Sequence, residues 1–295
     1  MDEGNARSDA DERARRRKAA RKARREERLY AGDAEARGWI RAFRARRRAA
    51  ILRIGKDLRP LIDGMLARYG TYEDTGFPDP GNFAWIPELE ASTDAIRKEL
   101  DVILADTDRL PLLKNISPDH SRIAKKHWKA FFLYGYGHRS EFGCRLCPET
   151  ARAVAKIPNL ESAFFSILLP GMHIKKHKGP TKSLVVCHLG VKIPKEAAKC
   201  VIRVDDEIRP WQHGKVLVLD DTHEHEVWND TDETRVVLLI HVRRPLRFPG
   251  SLVGKLIFNA IRLSPFVRDG RRNLEDWEAS FGASEPQSGE VRAAS

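Results

Sequence analysis

From residue 163 to residue 243 the chain is a succession of short β-branched and aromatic runs cut by turn formers, and this texture constrains the fold more than any other feature. Strands are predicted over 163–169, 183–193, 200–204, 215–219, 225–228 and 235–243. Pro170-Gly171, Gly179-Pro180, Pro194-Lys195 and His213-Gly214 separate them. No helical periodicity lies between the runs, which removes the crossover helices that a parallel sheet requires. Strands at this near-regular spacing predict an antiparallel sandwich or jelly roll.

The flanks read differently. Over 39–69, Trp39, Ile40, Phe43, Ile51, Leu52, Ile54, Leu58, Leu61, Ile62 and Leu66 recur at helical intervals, with Pro60 placed to kink or split the helix. Residues 71–90, rich in Pro and Gly, read as loop. Residues 91–106 predict a helix with Ser92 or Thr93 as N-cap and Ile96, Leu100, Ile103 and Leu104 on one face. Beyond Phe248 an apolar helix is expected from Leu252 to Leu263, ending before Ser264-Pro265. Docking on the body of the fold is the favoured reading of that helix; lying on a membrane surface, with Lys255 and Arg262 as its charges, is the other. Helices first and sheet second make an α+β protein. The expected plan is a basic tail over 1–38, disordered or a solvated helix, and one domain over 39–295, with helical support at 39–125, the jelly roll at about 126–247 and a C-terminal helical extension at 248–280.

Charge is concentrated at one end. Of 53 Lys/Arg and 42 Asp/Glu, residues 1–60 hold 20 and 10, which leaves the remainder nearly neutral. The first 28 residues contain no aromatic or β-branched side chain and cannot bury enough surface to offset the entropy of ordering. Such a basic tail suits an anionic membrane or nucleic acid, but no nucleic-acid motif accompanies it and nucleic acid is not expected as the main partner. No run approaches the ~20 apolar residues of a spanning helix, and the charged N-terminus holds no secretory signal, so a cytoplasmic location is expected, with peripheral membrane contact through the tail or the C-terminal helix. Cys144, Cys147, Cys187 and Cys200 are too few for a disulfide scaffold; Cys144-Arg-Leu-Cys147 has metal or redox spacing, though ordinary thiols are the simpler reading.

The segment PGMHIKKHKGPTKSLVVCHLG, Pro170 to Gly190, carries His173, His177 and His188 but no Asp or Glu. A jelly roll points side chains into a central cavity, where iron oxygenases hold the metal with two histidines and a carboxylate. Their usual sequence form is His-x-Asp/Glu, a distant His, and then an Arg for an acidic cosubstrate. Here His177-Lys178-Gly179 gives the first member, His225 in DDTHEHEVW the second, and Arg235 lies ten residues beyond His225. Gly179 stands where the carboxylate belongs. Simpler readings stay open at this point. His177 among Lys175, Lys176 and Lys178 has the setting of an exposed turn histidine, and His223 with His225 forms a His-x-His pair. His188 suits a core histidine bonded to backbone, and Arg235 suits a surface ion pair with Asp230, Asp232 or Glu233. Asp220 and Asp221 read as turn formers or as groups behind a metal's ligands. His173 reads as structural.

With these motifs together, the stretches FFSILLPGMHIKKHKGPTKSLVVCHLGVKIPKE and WQHGKVLVLDDTHEHEVWNDTDETRVVLLI resemble the aspartyl/asparaginyl β-hydroxylase family of Fe(II)- and 2-oxoglutarate-dependent oxygenases, over about 128–245. The resemblance implies a double-stranded β-helix, cupin-like core and an iron held by two histidines, with glycine in place of the carboxylate. It matches His177 and His225 to the iron ligands, Ser166, His188 and Arg235 to residues holding 2-oxoglutarate, and Trp128 to a tryptophan near it. One departure stands out: Val186 occupies the place of an arginine that helps bind the cosubstrate. On strand alternation Val186 and His188 still share a face.

The resemblance further implies a hydroxylase that consumes O2 and 2-oxoglutarate, releases succinate and CO2, and inserts oxygen into an aliphatic C–H bond. The β-carbon of an Asp- or Asn-type residue or amino acid is the first expectation for substrate. A lipid acyl chain of the lipid A type, met at the membrane face, is the alternative. A jelly-roll binding module without catalysis is a third reading, opposed by the joint presence of His177, His225 and Arg235.

Overall fold

A computed structural model of the chain describes residues 58–117 and 127–282. The chain divides at Pro60, and the sheets and the candidate site belong to the unit from Leu61 onward. The expected tail over 1–38 and the first part of the 39–69 helix lie outside the described residues; residues 61–68 are helical, with Leu66 buried.

Among the described residues two antiparallel sheets face one another. The larger runs β2 (His138–Arg139), β1 (Trp128–Gly135), β3 (Leu160–Leu168), β10 (Arg235–Arg243), β5 (Leu184–Lys192), β8 (Val216–Leu219). The smaller runs β4 (Met172–His177), β9 (His225–Asn229), β6 (Cys200–Val204), β7 (Glu207–Pro210). From β3 onward the chain passes back and forth between the sheets, β3, β5, β8 and β10 falling in one and β4, β6, β7 and β9 in the other. That winding is a double-stranded β-helix, the jelly roll the turn spacing predicts.

The central strands β3, β5 and β10 are near-continuous apolar runs because both faces of the larger sheet are covered. One face packs on helices: Phe131, Phe165, Ile167, Val185, Leu189, Leu238 and Ile240 meet Ile96 and Leu100 of the helix Thr93–Leu104 and Val154 of the helix Pro148–Ala155. The other face packs on the smaller sheet, where Phe164, Val186, Leu219 and Leu239 meet Ile174, Ile202 and Val227. The cavity that gathers the candidate residues opens in this second layer.

All the predicted strands are present, β3 beginning at Leu160 rather than at 163. The pattern misses β1, β2, β4 and β7. Strands β4 and β7 are the two edges of the smaller sheet, where Lys175, Lys176 and Pro210 break the apolar alternation and protect an unpaired edge from further pairing. Two expectations for the helical flank need correction. The loop over 71–90 contains a short turn at Pro80–Asn82 and a helix at Ile86–Ala91. Ser92 occupies the N-cap position of the next helix in helical conformation, and its hydroxyl donates to Glu88 O at 3.0 Å instead of capping; Thr93 likewise donates to Glu90 O at 2.7 Å. The two helices are thus nearly continuous.

The helices Glu141–Leu146 and Pro148–Ala155 interrupt the expected order of helices first and sheet second. Ser140 caps the former, its Oγ accepting from Gly143 N at 2.8 Å. Cys144 and Cys147 lie buried there, and burial pushes both thiols up. After β10 come the helices Gly250–Arg262 and Pro265–Gly282, the latter wedging Trp277 and Phe281 against Phe142. No helix among the described residues is long and apolar enough to cross a membrane.

Candidate active site

The smaller sheet contributes two histidines as a cross-strand pair. Antiparallel pairing of β4 with β9 sets His177 opposite His225, their ring centroids 4.1 Å apart. His177 Nδ1 donates to Lys175 O at 2.7 Å and His225 Nδ1 donates to His223 O at 3.0 Å. A carbonyl can only accept, so each ring carries its proton on Nδ1 and keeps the Nε2 lone pair for another partner. Burial, assisted by His225, holds His177 down at about 4, and burial also lowers His225, so both rings are neutral at pH 7. Two adjacent neutral imidazoles with available Nε2 atoms suit a divalent transition metal, iron among them.

The larger sheet brings the remaining predicted residues to the same cavity. Trp128, Ser166, His188 and Arg235 line it with His177 and His225, and its volume is about 100 Å3. Alternation accounts for the convergence. On β10, Arg235, Leu239 and His241 project to one face; on β5, Val186 and His188 do; on β3, Phe164 and Ser166. Val186 thus shares the cavity wall with His188, as the alternation predicts.

Arg235 is 2% exposed. Its Nη1 donates weakly to Ser166 O at 3.4 Å, its Nε is buried without a hydrogen-bond acceptor, and among the described residues no carboxylate pairs with it. Burial pulls the guanidinium down to about 10, which still leaves it charged at pH 7. The surface ion pair to Asp230, Asp232 or Glu233 is therefore not the role of Arg235. A buried cation with unused donors fits an anionic ligand, and the planar fork fits a carboxylate in particular.

Trp211, which the sequence pattern does not single out, completes this corner. It is 1% exposed, its ring lies 4.5 Å beneath the Arg235 guanidinium, and its indole N–H donates to His188 Nδ1 at 3.2 Å. Because Nδ1 accepts and burial holds His188 neutral, the imidazole proton sits on Nε2, and His188 is a second donor beside the arginine. Trp128 Nε1 donates to Ser166 Oγ at 3.0 Å. A tryptophan between two strands, shortly before a Gly, is the only clue to Trp211 in the sequence.

Gly179 and Asp221 are matched across the gap left by the missing His-x-Asp/Glu carboxylate. Gly179 N donates to Asp221 O at 2.6 Å, and a Cβ built on Gly179 would land on the Asp221 carboxyl group. Asp221 itself lines the cavity with the two histidines. A carboxylate is thus present near them, delivered from the turn before β9 rather than from position 179. Its neighbour Asp220 does something else: fully buried, it accepts from Lys182 Nζ at 2.9 Å, pairs with Arg244, and caps Thr222 N at 3.0 Å.

Asp74, Asp220 and His223 cluster closely enough to suggest a second metal position. Lys182 and Arg244 already neutralise those carboxylates, and His223 faces Asp205 at 2.5 Å, so the cluster is an ion network. His223 turns to Asp205 and does not line the cavity with His225. His173 stacks on Trp228 at 5.0 Å and meets Glu226 at 3.1 Å, on the far side of β4 from the cavity-lining Ile174.

Comparisons with known proteins identify the family. The family model described as Aspartyl/Asparaginyl beta-hydroxylase matches residues 90–245. An ornithine lipid ester-linked acyl 2-hydroxylase of Rhizobium tropici is 38% identical over 80% of this chain and 85% of its own. The aspartyl/asparaginyl beta-hydroxylase of Homo sapiens is 32% identical over 62% of this chain, which spans 24% of the human protein. Among solved structures the Schizosaccharomyces pombe Cnp3 cupin domain overlaps 45% of this chain and 73% of its own at 11% identity and a TM-score of 0.29, so the strand pairing itself carries the fold assignment. The chain belongs to the aspartyl/asparaginyl β-hydroxylase family and is a hydroxylating oxidoreductase.

Proposed function

We propose that this protein is an Fe(II)- and 2-oxoglutarate-dependent hydroxylase acting on an acyl chain carried by a lipid. The observation that carries the reading is the composition of the cavity: two neutral imidazoles face a buried guanidinium across walls formed by Leu113, Phe164, Ile174, Val186, Leu219 and Leu239. His177 and His225 would hold the iron through Nε2, with Asp221 placed to orient its water. Arg235 would clamp the distal carboxylate of 2-oxoglutarate, with Ser166 and His188 Nε2–H as further donors and Trp128 fixing the Ser166 hydroxyl. O2 would be the oxidant, and bound iron with 2-oxoglutarate, which is oxidised to succinate and CO2, would activate it. The chain's contribution is to aim them at one carbon and exclude water from it.

Val186 favours a lipid over an acidic side chain. A substrate carboxylate buried in this cavity needs a cation of its own, and Arg235 is the only Lys or Arg among the described residues that line it. Val186 instead extends the apolar wall. The Rhizobium tropici relative acts on an ester-linked acyl chain by its name, and its match covers most of both chains. The β-carbon of an Asp or Asn residue, suggested by the human relative, is the competing reading. Membrane contact follows from a lipid substrate and belongs to this proposal, as does a location at the cytoplasmic face.

Anaerobic Fe(II) with 2-oxoglutarate should give a visible charge-transfer band that His177→Ala and His225→Ala abolish. Absence of the band in the unmutated protein would sink the oxygenase reading. Incubation with acyl lipids and with Asp-containing peptides, read by mass spectrometry for a gain of about 16 Da, decides the substrate: gain on peptide alone overturns the lipid assignment.

A further inference from the structure

We propose that the outward face of the helix Gly250–Arg262, together with Phe248, is the surface that seats this protein on an anionic lipid bilayer; the inference rests on the acyl-lipid reading of the cavity.

This helix is apolar on two opposite faces. Gly250, Gly254 and Phe258, at i, i+4 and i+8, are buried, and the two glycines let the helix backbone close against Tyr69 and Leu246. Docking on the body of the fold therefore satisfies one face only. On the other, Leu252 is 52% exposed, Leu256 61% and Leu263 83%, and Phe248 just before the helix is 79% exposed. Spacings of four and seven residues stack the leucines in one stripe. A helix that only covers a soluble protein carries polar residues there. Scattered exposed leucines need no explanation, but an aligned stripe with an adjoining phenylalanine does.

The surrounding charge identifies the partner. No Asp or Glu occurs between Arg244 and Arg268. Arg247, Lys255 and Arg268 are exposed, and none forms an ion pair with another described residue. An apolar stripe bordered by unpaired cations is the pattern of a helix lying in a bilayer interface, apolar side sunk among acyl chains and cations at the phosphates. A second copy of the chain is a poorer occupant, because a two-fold contact through this stripe would bring Arg247 and Lys255 toward their own symmetry mates. Position in the fold favours the bilayer as well. Strand β10, which carries Arg235 and His241 on the cavity wall, leads directly into this segment. Arg244, at its exit, is locked to Asp220, the residue before cavity-lining Asp221. Seating this helix on a membrane therefore fixes the orientation of the cavity relative to the lipid.

The test is co-sedimentation of the full chain with phosphatidylcholine vesicles, with and without phosphatidylglycerol, at low salt and at ~1 M salt, where the Debye length shrinks to ~3 Å. Wild type should pellet with the anionic vesicles and retain a bound fraction at high salt. The Leu252→Ser, Leu256→Ser, Leu263→Ser triple variant should bind at least about tenfold more weakly while keeping its melting temperature and its Fe(II)/2-oxoglutarate band. Equal binding by variant and wild type overturns the proposal and points to the basic N-terminal region. Loss of self-association in place of vesicle binding overturns it in favour of a second copy. Should the triple variant fail to fold, Phe248→Trp in the otherwise intact chain replaces it: added quenching by brominated acyl chains, relative to wild type, is expected, and no added quenching counts against the proposal. The charge-transfer band is read independently of vesicles, so failure of the oxygenase reading and failure of the docking surface are told apart.

Discussion

A guanidinium that is 2% exposed and has no carboxylate beside it among the described residues is expensive to keep, and Arg235 is kept by its neighbours. Trp211 gives it a π face and holds His188 in the tautomer that turns Nε2–H toward the cavity. Trp211→Phe should keep an aromatic face under the guanidinium but remove the indole N–H together with the five-membered ring that carries it, leaving a small void at this buried site. The expected result is a KM for 2-oxoglutarate raised about three- to tenfold, the size of one net hydrogen bond, with kcat little changed and a melting temperature lowered by the void. A large fall in stability without a change in KM would show that Trp211 only packs. Arg235→Ala, by contrast, should weaken cosubstrate binding by about a hundredfold or more, since it removes the charge itself, while Fe(II) binding measured without cosubstrate persists. At Gly179 the geometry makes a less obvious prediction. Restoring the common His-x-Asp by Gly179→Asp should lower, not raise, Fe(II) affinity and melting temperature, because the new Cβ would land on the Asp221 carboxyl group. Higher iron affinity in that variant would show that the Asp221 loop yields easily.

The elements that deliver these residues differ in how plainly the sequence shows them. Strands β3, β5 and β10 are covered on both faces and read as apolar runs, so Ser166, His188 and Arg235 can be placed on strands from sequence. Strand β4 cannot: it is an edge, its lysines face solvent, and His177 has the local setting of a turn. Only pairing with β9 gives His177 its partner. The ion network of Lys182, Asp220, Arg244 and Asp74 is equally hidden, since its members lie far apart in the chain yet join the start of β5 to the ends of β8 and β10. Asp220→Asn should cost about 3–5 kcal/mol by leaving two buried cations underpaired, as read by chemical denaturation. Burial alone would raise the Asp220 carboxyl, but Arg244, the Thr222 hydroxyl and Lys182 bring it below its ordinary value. A folded value below the unfolded ~3.9 means that this stabilisation is complete above pH ~4 and is lost as pH falls through the folded value. The stability gap between wild type and Asp220→Asn should therefore be constant near neutrality and narrow below pH ~4. A gap that narrows instead near neutral pH would assign the effect to another group.

At the scale of the molecule, the winding of the jelly roll and the family are legible because turn spacing and the His177, His225, Arg235 pattern are properties of the chain in order. What is not legible is everything that depends on which face meets which: the close fit of Gly179 against the Asp221 carboxyl group, the brace of Trp211, and which face of the helix Gly250–Arg262 packs and which stays open. Substrate class falls between the two. Val186 is visible as a departure, but only the folded cavity shows that it lies 3% exposed in a wall otherwise made by Phe164, Ile174, Leu219 and Leu239. An acyl chain brings no charge to that wall and Arg235 already serves the cosubstrate's distal carboxylate, so an arginine at 186 would find no anion of the substrate to pair with. Val186→Arg should consequently lower hydroxylation of an acyl lipid by about a hundredfold or more, the few kcal/mol that an unpaired buried cation costs, while the anaerobic Fe(II)/2-oxoglutarate band remains because His177, His225 and Arg235 are untouched. A substrate with its own carboxylate would gain a partner instead of a penalty. Turnover of the two classes by wild type and variant, measured with iron and cosubstrate saturating, separates these effects from cosubstrate binding. Undiminished lipid turnover in Val186→Arg would place the acyl chain elsewhere and remove the cavity wall as the determinant of substrate class.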